Sequence, residues 1–180
     1  MGSQRWSFKT KVKLTGDEKL QKIVQFYLWE TPVSGVSEKG SSLSHLGWKG
    51  AEFHTLHKIM RERAGFPVPE MWVECSRKEL QDKLSEFGFL RSVPTGREFA
   101  FYARKSECSK TESLLYFIRN AFAHGGFRCI EFENERYFVL ENRYKGQLRG
   151  RAVLKESTLL VWKELLSKKK SQMLRHRRGF

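Results

Sequence analysis

The segment 109–126 constrains the fold more than any other part of the chain, because it carries its own start, face and stop. Ser109 followed by Glu112 has the spacing of a capping box, in which the serine caps the first helical turn and the glutamate reaches back to the serine's N–H. Behind that start, Leu114, Leu115, Ile118, Ala121 and Phe122 fall within a single apolar arc at about 100° per residue. Gly125 and Gly126 then end the helix. Such a helix must bury its arc against other elements, so the chain around it is a packed domain. The opposite arc holds Ser113, Tyr116, Phe117, Arg119, Asn120, Ala123 and His124.

Helical signals recur along the chain. Thr15 and Glu18 have capping-box spacing before Leu20, Ile23, Val24, Tyr27 and Leu28, which predicts a helix ending near Glu30, ahead of Pro32. Phe53, Leu56, Met60 and Ala64 share a face over 51–64, closed by Gly65 and Pro67, with His57 on or beside that face. Ser76 and Glu79 start a third helix with Leu80, Leu84 and Phe87 inward and Gly88 as its stop. A last helix over 155–166 turns Leu159, Trp162 and Leu166 inward. Strand signals are fewer: alternation over 8–14, a short aromatic run at 98–103, and a hairpin of 127–133 with 136–142. Residues 31–50 read as a long Ser/Gly loop, and 145–151 as a basic connector containing glycine. The expected fold class is mainly α, a helical bundle of about five helices with a small β-hairpin and an N-terminal strand. Residues 1–167 form one domain in this reading and 168–180 a basic C-terminal tail.

The 180 residues are 39% hydrophobic and 13% aromatic, enough for a real core. The net charge is +14. Lys168, Lys169, Lys170, Arg175, Arg177 and Arg178 crowd the tail, yet a large positive excess stays on the body. A polyanion is the expected partner, with a merely solvated cationic surface as the alternative. No apolar run is long enough for a bilayer span, the first residues lack the apolar core of a signal peptide, and Trp6 breaks the myristoylation pattern. The expectation is a cytoplasmic protein with no membrane partner. Cys75, Cys108 and Cys129 are odd in number and widely spaced, which suits reduced thiols. His45, His54 and His57 have no Asp or Cys at matching spacing, and no glycine-rich phosphate loop occurs, so neither metal nor cofactor is expected. Trp48, beside Lys49 in the long loop, either anchors that loop or stacks a base.

Arg119, Asn120 and His124 carry the chemistry. A neutral imidazole can take the proton of a ribose 2′-hydroxyl, and an imidazolium can protonate a 5′-leaving oxygen. Arginine grips phosphate through two N–H donors and stabilises charge developing on its oxygens. Asparagine can orient either partner. Asn120 and His124, four apart, stack along the helix axis. Arg119 is displaced from His124 by about 140° around that axis, so the helix alone makes an incomplete site. Tyr116 adds an aromatic ring to the same arc and, with Trp48, Lys49 and the tail cations Lys168, Lys169, Lys170, Arg175, Arg177 and Arg178, is an expected RNA contact.

The string Ile-Arg-Asn-Ala-Phe-Ala-His-Gly around these residues resembles the Arg-x(4–6)-His motif of HEPN domains (higher eukaryotes and prokaryotes nucleotide-binding). The resemblance implies an α-helical bundle, catalytic roles for Arg119, Asn120 and His124, and a metal-independent endoribonuclease of toxin–antitoxin, antiphage or CRISPR defence systems. It also implies a homodimer in which both protomers supply Arg119 and His124 to one composite cleft, and an antitoxin or effector as a further partner. Gly126 stands where toxins silenced by nucleotidyl modification carry tyrosine, so the likeness does not extend to that scheme. The alternative is a basic module on the same bundle that binds RNA or nucleotide, or another protein, without catalysis.

Overall fold

Two-residue periodicity hidden between the helical signals decides the architecture. The computed structural model describes residues 4–8, 13–35, 41–66 and 69–175. In chain order it contains β1 (Gln4–Arg5), α1 (Glu18–Gln25), a π-helical turn at Phe26–Glu30, α2 (Glu52–Arg63), a 3-10 turn at Pro69–Met71 and β2 (Trp72–Cys75). There follow α3 (Glu79–Glu86), β3 (Ser92–Val93), β4 (Phe99–Ala103), α4 (Lys110–Ala123), β5 (Phe127–Phe132), β6 (Glu135–Tyr144), β7 (Gln147–Lys155), α5 (Glu156–Leu166) and α6 (Lys170–Arg175).

Strands β2, β4, β7, β6 and β5 form one sheet in that spatial order, with β2 parallel to β4 and the other pairs antiparallel. The fold is therefore mixed α/β, and the mainly α bundle expected from the helical signals is corrected. The parallel pair requires a crossover, which α3 supplies. The β5–β6 and β6–β7 links are two-residue turns, with positive φ at Glu133, Asn134, Lys145 and Gly146. That geometry matches the right-handed twist of the strands it joins.

Both faces of the sheet are covered. On one, Phe99 and Phe101 of β4 pack against Phe87 and Phe89, which follow α3, and Trp6 meets Phe99 edge-on. On the other, Tyr102 stacks with Phe117 of α4 at 6.1 Å, and Phe138 of β6 meets Phe122. Helix α4 lies between that face and the π-turn and α2. Trp162 of α5 packs on Trp72, and its indole donates to the Met60 carbonyl at 2.9 Å. Phe117 and Ser113, placed on the polar arc by the wheel, are buried, because the sheet covers more of α4 than one apolar stripe.

Several expected elements shift. Asp17, not Thr15, caps α1, its carboxylate accepting from the Leu20 N–H at 3.0 Å. Of the strand expected at 8–14, residues 9–12 lie outside the described residues, as does Pro67. The connector expected over 145–151 is the turn into β7 and the first half of that strand. Residues 170–175 of the tail are helical, with Met173 buried. Among the described residues, no helix is long and apolar enough to cross a membrane.

Candidate active site

Strands β2, β4 and β6 finish, and β7 begins, at one end of the sheet, and the outward stripe of α4 passes over that end. The gap between them is a cleft of about 480 Å³. Arg119, Asn120, His124 and Tyr116 line its α4 wall. Residues just past β2 and β4 add Arg77, Arg104 and Lys105, while the β6–β7 hairpin adds Asn142, Arg143, Tyr144 and Arg149. Among the described residues, no carboxylate lines it.

The position of α4 follows from its ends. Ser109 Oγ accepts from the Glu112 N–H at 3.2 Å, and Glu112 accepts from the Ser109 N–H at 2.8 Å, completing the capping box. At the other end the Gly126 N–H donates to the Ala121 carbonyl at 2.8 Å and the Gly125 N–H to Phe122 at 3.3 Å. Gly125 has φ +68. These are the bonds of a Schellman ending, which leaves His124 exposed as the C-cap. Gly126 then bonds directly to β6, its carbonyl accepting from the Glu141 N–H at 2.7 Å. Phe117 sits over Gly150 of β7, where a side chain would meet its ring.

Arg119 donates through Nη1 to Asn120 Oδ1 at 3.2 Å, so the asparagine steers the guanidinium and keeps its own amide N–H groups for a ligand. The Nε atoms of Arg119 and Arg149 are buried with no hydrogen-bond partner. Both are N–H donors on guanidinium groups, the kind of donor that an anion satisfies best. Arg104 is paired with Glu74 at 3.3 Å and Arg143 with Glu141 at 2.6 Å. Arg77, Lys105, Arg119 and Arg149 have no ion-pair partner among the described residues. The cleft keeps a positive field that the chain itself does not cancel. Lys105 Nζ stands 3.4 Å from the Tyr116 ring centre, covering that face. Among the described residues, no group of three His, Cys, Asp or Glu could hold a metal ion.

The remaining candidates lie elsewhere. Trp48 is 1% exposed, so its ring is not free to stack on RNA, and it anchors the segment that α6 packs on. Lys49 is exposed ahead of α2, outside the cleft lining. Lys168 pairs with Glu164 at 2.5 Å and Lys170 with Glu52, while Lys169 and Arg175 are exposed. Arg177 and Arg178 lie outside the described residues. Sequence reasoning missed Arg77, Arg104, Lys105, Asn142, Arg143, Tyr144 and Arg149 as site residues. The one visible trace was the basic density of 143–151, which strand pairing turns into a cleft wall. A comparison with family models, with curated proteins and with solved structures found no match.

Proposed function

We propose that the cleft binds RNA and cleaves it without a metal ion, by attack of a ribose 2′-hydroxyl on the adjacent phosphate. The observation that carries this reading is that Arg119, Asn120 and His124 share one cationic cleft with no carboxylate in its lining among the described residues. His124, exposed at the helix end, takes the 2′-hydroxyl proton. Arg119, steered by Asn120, holds the non-bridging oxygens as charge builds on them. The O2′–P bond forms, the P–O5′ bond breaks, and O5′ takes a proton from solvent. The products are a 2′,3′-cyclic phosphate and a 5′-hydroxyl. The likeness of the motif to HEPN ribonucleases supports the same chemistry and suggests a toxin or antiphage role in the cytoplasm. The helical bundle that the likeness implied is not part of the proposal.

Incubation of the protein with labelled RNA in excess EDTA tests it. Cleavage persists in chelator, and Arg119→Ala and His124→Ala each slow it by about 10²–10⁴-fold. Binding without cleavage counts against the enzyme and for a non-catalytic RNA-binding module. The homodimer with a composite cleft belongs to the same proposal. Light scattering at micromolar protein reads it, and a monomer there counts against a shared site.

A further inference from the structure

The β6–β7 hairpin ends at the mouth of the cleft in an aromatic ring that the core does not use. Tyr144 is 57% exposed. Its backbone is nevertheless firmly mounted. The strands on either side pair up to Tyr144 and Gln147, and the Arg143 side chain ties the turn by donating to the Gly146 carbonyl at 3.1 Å and to Glu141 at 2.6 Å. An exposed ring on a paired hairpin, beside unpaired cations, is a ready surface for a nucleobase.

The two tyrosines of the cleft differ in one respect that matters. The Tyr116 ring has Lys105 Nζ 3.4 Å from its centre. At Tyr144 the nearest cations stand at 5.4 Å (Arg149) and 5.6 Å (Lys145), beyond the roughly 3.5–4.0 Å of van der Waals contact. Both lie over the ring within cation–π reach, so a base stacking there displaces whichever of these two flexible side chains covers the face it takes, and the displaced Arg149 guanidinium stays close enough to meet the adjacent phosphate.

We infer that Tyr144 is the base-stacking platform of the cleft and makes it selective for an unpaired strand. This rests on the reading that the cleft takes RNA. In a duplex every base face is already covered by its neighbours, so only an unpaired nucleotide can offer one to the ring. Stacking is tolerant of sequence because every base has a π-face, so the selectivity is for strandedness and not for a particular base. The cleft volume of about 480 Å³ falls in the range of pockets that enclose small ligands, which suits a nucleotide lifted out of a strand and not an intact helix.

The test uses the full chain and a fluorescent RNA with 2′-O-methyl groups throughout, which lacks the attacking hydroxyl and survives any cleavage activity. Anisotropy is measured at one ionic strength for the single strand and for the same strand annealed to its complement. Tyr144→Ala is expected to weaken single-strand binding about fivefold or more, with duplex binding changed less than about twofold, and Tyr144→Phe to bind like the parent. No loss in Tyr144→Ala, an equal loss on both probes, or the same loss in Tyr144→Phe overturns the inference. Failure of the parent protein to bind either probe at low salt overturns it together with the RNA reading. Tyr144-dependent binding without cleavage of unmodified RNA sinks only the nuclease. Cleavage with Tyr144-independent binding sinks only the platform.

Discussion

The carbonyl oxygen of Glu141 lies 2.0 Å from where a Cβ on residue 126 would stand, so only glycine lets the end of α4 dock on β6. The contact cannot relax by a side-chain rotation, because it is made by backbone that is itself hydrogen-bonded between the two residues. Gly126→Ala should therefore destabilise the protein by at least about 1–3 kcal/mol, read as a lower urea midpoint. It should also impair the cleft, since His124 sits two residues before the dock. Gly125→Asn is the control: residue 125 needs positive φ but has open space around it, and asparagine tolerates that conformation. Equal effects of the two changes would refute the docking argument.

Arg151 is 5% exposed and ties three segments together on the far face of the sheet. Its guanidinium meets Glu141 at 2.7 and 2.8 Å, donates to the carbonyls of Phe89 and Leu90, and lies 4.3 Å from the Trp6 ring. Removing Arg151 leaves Glu141 with only the half-exposed Arg143 and leaves the Phe89 and Leu90 carbonyls without their donor, so Arg151→Met should cost about 1–3 kcal/mol in chemical denaturation. The double variant Arg151→Met with Glu141→Leu should recover part of that loss. A double variant as unstable as the sum of its single changes would argue against a buried-charge origin.

His57 offers a stability prediction with a definite pH window. Its ring packs 4.0 Å from Trp72, its Nδ1 is buried without a partner, and burial lowers its pKa to about 4, with the Lys110 and Arg61 charges adding to the effect. In the unfolded chain the group titrates near 6.5. Below that pH the unfolded state binds a proton that the folded state refuses. Stability therefore falls as pH drops from about 6.5 to about 4 and is constant on this account above and below that window. The loss is at most about 3 kcal/mol. Urea titrations at the two ends of the window should show it, and His57→Phe should flatten the profile there. A variant with the parent's full slope would place the titration elsewhere.

How much of this was legible beforehand depended on how local each signal was. Helix α4 could be read from Ser109, Glu112 and the Gly125–Gly126 stop because its caps are made within a few residues. The β5–β6 hairpin was legible for the same reason. Strand β2 was not, since Trp72–Cys75 is short and its register comes only from β4, across α3. Strand β7 was hidden by its own chemistry: Arg149, Gly150 and Arg151 read as a basic linker. In the fold Gly150 is small because Phe117 lies over it, and Arg151 is buried because Glu141 faces it. The cleft was half legible, on α4, and its other wall needed the unread pairing of β6 with β7.

Where the polyanion sits can be decided from salt dependence. Arg77 and Arg149 line the cleft without an ion-pair partner among the described residues, whereas Lys168 in the tail is already paired with Glu164 at 2.5 Å. A cation that contacts a single-stranded phosphate releases counterions, contributing about 0.7 to the slope of log K against log salt. A cation neutralised by its own protein contributes little. Arg77→Gln and Arg149→Gln should each flatten the slope by about that amount, measured by anisotropy with single-stranded RNA over a salt series, while Lys168→Gln leaves it unchanged. If Lys168→Gln flattens it as much as Arg77→Gln, the RNA runs over α5 and α6, and the charge of the tail, not that of the cleft, governs binding.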